Sequence, residues 1–276
     1  MASQIQPNNL KRIALHGVPR SGTSWLGEIL NSCGSVIYKF QPLFSYAFKG
    51  YLNTTSSKAD IDEFFRCISV KEDSFLDQSE KRLSGLLPTF SKSDATHIVY
   101  KEVRYHEILP NILRRTNDVR IICLVRNPLA VIHSWLNAPR EFRADLGWQP
   151  LKEWRYALLK NLNRPEEYNG YERWKEATHL FLHLQHDYPD RLLVVNYRDL
   201  LISTEDKVRH IFDYCGLPFL EQTRSFIVSS RTDDNADPYA VYRASACDSA
   251  WQGSLDKEIV NAICNDLKGS DLESLL

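Results

Sequence analysis

Gly17, Gly22 and the hydroxyl pair Thr23 and Ser24 have the spacing of a phosphate-binding turn. The stretch "GVPRSGTSWL" (Gly17–Leu26) follows the apolar run "IAL" and opens a helix-like segment. At a helix start the free backbone N–H groups and the helix dipole favour an anion, and Gly22 permits close backbone approach. A nucleoside-triphosphate loop places a lysine directly after its second glycine. Here Thr23 holds that place, and Arg20, a permanently charged fork able to reach two oxygens, stands inside the loop. The same residues also fit a capped helix start with no ligand.

A second chemistry-bearing stretch is "LVRNPLAVIHSW" (Leu124–Trp135). Arg126 leaves an apolar run, Pro128 can open a helix because its missing N–H has no partner there, and Ser134 falls about two turns into that helix. A kinase or NTPase needs an acid at such a strand end to hold Mg²⁺. Arg126 stands there instead, which repels a metal and attracts a second anion. The pattern therefore favours a metal-free site for a ligand with two anionic groups.

These residues need a scaffold. "RIALHG", "HIVYK", "VRIICLV", "RLLVVNY" and, near Val36, "VIYKF" read as strands buried on both faces of a parallel sheet. Helical spacing follows at Leu26, Ile29, Leu30 and Cys33, stopped by Gly34. It recurs at Val208, Ile211, Phe212 and Cys215, stopped by Gly216 and Pro218, and at Leu255, Ile259, Ala262 and Ile263, ending near Gly269. The fold class is therefore α/β, three layers with a mostly parallel central sheet flanked by helices. The expected organisation is one domain over residues 1–276. The stretch from 137 to 174, crowded with Trp, Arg, Lys and Glu, reads as a substrate-capping insertion. Residues 53–93 are polar and poorly periodic, hence helical or loop-like. A net charge of −1 disfavours nucleic-acid or polybasic membrane partners, so any anion site is built from a few placed cations. Six dispersed cysteines without a C-x-x-C pair read as small buried hydrophobes in a reducing compartment. "MASQIQPNNLKR" lacks the apolar core of a signal peptide, which leads to the expectation of a soluble cytoplasmic protein.

"PRSGTSWL" (Pro19–Leu26) resembles the loop with which sulfotransferases bind the 5′-phosphosulfate of 3′-phosphoadenosine-5′-phosphosulfate (PAPS). "LVRNPLAVIHSW" resembles the family's 3′-phosphate motif, in which an arginine and a downstream serine grip the ribose phosphate. "YKEVR" (Tyr100–Arg104) is similar to a lysine-bearing strand of carbohydrate-type members. "VVNYRDLL" (Val194–Leu201) and "YRASACDSAWQGSL" (Tyr242–Leu255) are similar to two later family segments, the last of which closes over the nucleotide. The resemblance implies a P-loop-like fold. It also implies donor-binding roles for Pro19, Arg20, Ser21, Gly22, Thr23, Ser24, Trp25, Arg126, Ser134 and Arg243. The reaction it implies is in-line transfer of a sulfuryl group to a hydroxyl or amine of a small-molecule or carbohydrate-like acceptor, without a metal. Arg20 and Lys101 would stabilise the leaving group. A metal-dependent small-molecule kinase with a degenerate loop and a non-catalytic nucleotide-binding protein remain the alternatives.

The general base departs from the family's pattern. Golgi-type members carry a glutamate where "YKFQPLFSY" has Gln41, and an amide cannot take up a proton as a carboxylate does. Cytosolic-type members use a histidine where Val103 stands. The local substitutes are Glu102, at a strand end, and His106, with His133 behind them; Gln41 is expected to orient the acceptor. Phe40, Phe44, Tyr46 and Phe48 are candidates for an acceptor pocket, and Arg104 for a contact with an acidic acceptor or a salt bridge.

Overall fold

The computed structural model describes residues 9–276 except 234, 236, 238, 243 and 245–247. In chain order its first elements are β1 (Lys11–His16), α1 (Thr23–Asn31), β2 (Val36–Phe40), α2 (Lys58–Val70), α3 (Ser79–Leu83), β3 (His97–Glu102) and α4 (Leu109–Arg115). β4 (Val119–Val125), α5 (Pro128–Leu136), α6 (Pro150–Glu153), α7 (Leu158–Asn161), α8 (Tyr171–Asp187) and β5 (Leu192–Asn196) follow. The chain closes with α9 (Tyr197–Ile202), α10 (Thr204–Cys215), α11 (Glu221–Thr232) and α12 (Lys257–Leu267).

All five apolar runs are strands, paired in parallel in the order β2-β3-β1-β4-β5. Strand alternation sends successive side chains to opposite faces. Ile13, Leu15, Val99, Ile122 and Leu124 pack against α1, α10 and α11. Ala14, Ile98, Tyr100, Ile121 and Cys123 pack against α2, α4, α5, α8 and α12. Both faces are thus covered, which is why these strands are apolar throughout rather than alternating.

Local chemistry sets the helix ends. Gly216, at φ +70°, stops α10, and Leu217 N–H reaches Phe212 C=O at 2.8 Å, closing the last turn. Residues 53–93 contain a well-formed helix, α2, begun by a reciprocal capping box. Asp60 N–H donates to Ser57 Oγ at 3.2 Å while Ser57 N–H donates to Asp60 Oδ2 at 2.7 Å. The five described cysteines are free thiols, and Cys247 lies outside the described residues.

Because the sheet is parallel, the carboxyl ends of all strands share one edge. The β1 loop leaves toward the face covered by α1, whereas β3 and β4 continue into α4 and α5 on the opposite face. Loops that diverge in this way open a crevice above β1, where ligands of open α/β sheets bind.

Candidate functional site

A cavity of about 390 Å³ lies at that edge. The loop after β1 forms one wall. Gly22 caps α1 at φ +93° with no side-chain hydrogen bond to the first turn, which leaves the leading N–H groups for a ligand. A Cβ added there would meet Tyr197 Cε2 at 2.4 Å, so glycine is required both for its backbone conformation and for the space it leaves. Arg20 also lies in the left-handed region, at φ +71°, a strained state for a side-chain-bearing residue and one that clusters at functional sites.

Arg20 Nε donates to Ser134 Oγ at 3.0 Å, joining the β1 loop to α5 across 114 residues of sequence. Arg126 Nη1 donates to the Arg20 carbonyl at 3.1 Å, and its Nε donates to Asp248 Oδ1 at 2.7 Å. The Arg126 guanidinium lies 4.5 Å from the centroid of the Tyr197 ring. Asn127 caps α5 by accepting from Leu129 N–H at 2.8 Å, which fixes Ser134 on the helix face turned to Arg20. The two stretches singled out in the sequence therefore touch and line one continuous wall.

The opposite wall comes from β2 and β3. Lys101 is 2% exposed, lines the cavity, and holds its Nζ 4.5 Å from the Phe40 ring centroid. Burial pushes its ammonium down to about 7. Gln41, at φ +44°, accepts from Arg104 Nη1 at 2.9 Å. Arginine only donates, so this bond fixes the orientation of the Gln41 amide: its oxygen faces Arg104 and its N–H₂ is the group left to donate. Arg104 also donates to Glu167 Oε1 at 2.9 Å and stacks 4.1 Å over Phe44.

Among the described residues the cavity is lined by eight lysines and arginines against a single carboxylate, Glu141. In a chain of net charge −1 this concentrates positive potential where the strands end. Walls of this charge attract an anion.

Most of the predicted donor-site residues converge here: Pro19, Arg20, Gly22, Thr23, Ser24, Trp25, Arg126 and Ser134 all line the cavity. Ser21 does not; it is fully buried, with its hydroxyl lacking a partner. Arg243 lies outside the described residues. Of the predicted catalytic residues, Arg20, Gln41 and Lys101 line the cavity and two do not. Glu102 follows Lys101 on β3, so strand alternation turns its side chain to the other face of the sheet. There its Oε1 accepts from Leu43 N–H at 2.8 Å, and burial holds the carboxyl protonated, up to about 8. His106 is fully buried beneath the sheet, its Nδ1 3.0 Å from His16 Nδ1 and its ring 4.3 Å from that of Tyr168. Burial pushes His106 well below its ordinary value, so it is neutral as well as remote from the cavity. The left-handed turn at Tyr105 (φ +57°) sends the chain there. Among the candidate aromatics, Phe40 and Phe44 line the cavity, whereas Tyr46 is fully exposed and Phe48 belongs to the core.

Several lining residues carried no clear sequence signal. Tyr197 sits in the quoted "VVNYRDLL", but its ring contact with Gly22 depends on the fold. Arg140, Glu141 and Lys160 come from the irregular 137–174 stretch, whose crowding with charge was the available clue.

The profile described as the sulfotransferase family matches residues 12–221. No curated protein matches the sequence. Among solved structures, mouse sulfotransferase SULT7A1 complexed with PAP, the desulfated product of PAPS, aligns with TM-score 0.54 at 13% identity, covering 97% of this chain and 90% of its own. Retinol dehydratase in a complex with retinol and PAP aligns with TM-score 0.53 at 17% identity, over 95% of this chain and 82% of its own. The sulfotransferase domain of the Synechococcus PCC 7002 olefin synthase aligns with TM-score 0.50 at 17% identity, over 91% and 92%. At these identities the likeness establishes the fold. Among the described residues no helix is long and apolar enough to cross a membrane.

Proposed function

Since this chain belongs to the sulfotransferase family, we propose that the cavity binds PAPS and transfers its sulfuryl group, without a metal, to a hydroxyl or amine. The observation that carries this reading is the direct Arg20–Ser134 contact at 3.0 Å. Phosphates on the 3′ and 5′ positions of one ribose are close neighbours, and two touching cradles suit them better than an extended triphosphate does.

The residues present fit that donor. The first-turn N–H groups of α1, the Thr23 and Ser24 hydroxyls and Arg20 would hold the 5′-phosphosulfate. Arg126 and Ser134 would hold the 3′-phosphate. PAPS supplies a sulfuryl group on a phosphate leaving group. As charge develops on that phosphate, Arg20 and Lys101 are placed to neutralise it. An adjacent phosphate would also restore the full charge of Lys101, which burial alone depresses. Among the described residues lining the cavity, eight cations stand against one carboxylate, a balance that disfavours Mg²⁺.

Phe40 and Phe44 supply flat walls for a small-molecule or carbohydrate-like acceptor, and Gln41 a donor that orients its reacting group. Residues 137–174 serve as the cap over this end of a single catalytic domain. Titration calorimetry with adenosine 3′,5′-bisphosphate in excess chelator tests the reading. Tight binding that ATP with Mg²⁺ does not match supports it; equal affinity for the two nucleotides refutes it.

A further inference from the structure

The transfer leaves one chemical requirement unmet by the residues so far assigned: a group that takes the acceptor's proton. Gln41 is an amide and cannot take up a proton, Val103 cannot titrate, Glu102 and His106 are buried on the other face of the sheet, and His133 turns to Ser254 Oγ at 2.9 Å and does not line the cavity. Lys101 becomes a full cation once phosphate lies beside it, and so is removed from the role of base. Glu141 remains.

Resting on the reading above, we propose that Glu141 is the general base of sulfuryl transfer, carried to the active site by the turn that follows α5. Its Oε1 is 3.5 Å from Arg20 Nη1, so the carboxylate faces the arginine assigned to the phosphosulfate. Glu141 lines the same cavity as Lys101 on β3, Lys160 on α7 and Tyr239.

The turn is rigid. Glu141 N–H and Phe142 N–H both donate to the Ala138 carbonyl at 2.8 Å, and Arg140 N–H donates to Tyr239 Oη at 2.9 Å. Ala138 and Phe142, which flank Glu141 in the sequence, are buried, and the Phe142 ring packs edge-on against Trp135 at 5.4 Å. A base held by buried neighbours needs little reorganisation to meet the acceptor. A carboxylate facing the phosphosulfate also weakens nucleotide binding by repulsion, so its presence opposes ground-state affinity.

In the step assigned to it, the acceptor O–H or N–H proton passes to a Glu141 oxygen as the acceptor atom bonds to sulfur. The sulfur–oxygen bond to the 5′-phosphate breaks, and its electron pair stays on that phosphate. Glu141 then returns the proton to solvent.

The test compares wild type, Glu141→Gln and Glu141→Asp. It reads affinity for adenosine 3′,5′-bisphosphate by calorimetry and release of that product from PAPS over a panel of phenols, sugars and amines. Thermal unfolding checks that each variant is folded. Glu141→Gln is expected to bind the nucleotide about two- to tenfold more tightly, because a repelling charge is gone. It is expected to transfer about 10²- to 10⁴-fold more slowly, with Glu141→Asp between the two. Unchanged turnover in Glu141→Gln overturns the assignment, and so does joint loss of affinity and turnover, which marks a structural role. Wild type that binds the nucleotide but never consumes PAPS overturns it too. Wild type that fails to bind the nucleotide sinks the broader reading instead.

Discussion

Replacing Gly22 by alanine tests whether the β1 loop is built as described. The φ of +93° costs an L residue about 1–2 kcal/mol. The new Cβ would lie 2.4 Å from Tyr197 Cε2 and 2.7 Å from Cδ2, so the ring must move, at a further cost of about 1–3 kcal/mol. The single variant should lose about 2–5 kcal/mol in urea unfolding. It should also bind adenosine 3′,5′-bisphosphate more weakly, since the Arg126 guanidinium rests 4.5 Å over the same ring. In the double variant Gly22→Ala, Tyr197→Ala the clash is absent and only the backbone term remains. Measured against Tyr197→Ala, Gly22→Ala should then cost about 1–2 kcal/mol, a coupling of about 1–3 kcal/mol in the cycle. Additivity of the two substitutions within about 0.5 kcal/mol would refute the steric argument.

Other substitutions probe the scaffold. Burial raises Glu102 from 4.5 to about 8, so the folded chain keeps a proton that the unfolded chain has released, and stability falls as pH rises through that window, by at most about 5 kcal/mol. Glu102→Gln should flatten that decline in unfolding measured from pH 5 to 8; superimposable profiles would show that the carboxyl is not held protonated. Ser57→Ala removes the capping box of α2 and should cost about 1 kcal/mol in urea unfolding, whereas unchanged stability would show that the cap contributes nothing.

Much of the architecture was legible in the sequence because it rests on periodicity. A strand buried on both faces must be apolar throughout, and all five such runs form the sheet. That the loop after β1 would reach the cavity was legible for a related reason: glycine, arginine and hydroxyl residues at a strand-to-helix turn stand where the strands end. The helix α2 was harder to read because Ile61, Phe64, Phe65 and Ile68, which have helical spacing, are interleaved with charge. Glu102 was misread although the rule was at hand, since a period of two cannot turn both Lys101 and its neighbour to one face. His106 depended on a left-handed turn at Tyr105, a residue with no special preference for that conformation. Glu141 was out of reach because the segment that carries it has no long period, and only tertiary packing brings it to Arg20.

In the proposed complex one ligand is held by its two phosphate positions in a cradle shared by Arg20 and Arg126. Calorimetric titration of adenosine 3′,5′-bisphosphate into wild type, Arg20→Ala and Arg126→Ala, all in chelator, tests it most directly. Tight wild-type binding is expected, with about a 10- to 100-fold loss in each variant, the worth of a charged hydrogen bond. Wild-type affinity in either variant, or binding that appears only when Mg²⁺ is added, would contradict it.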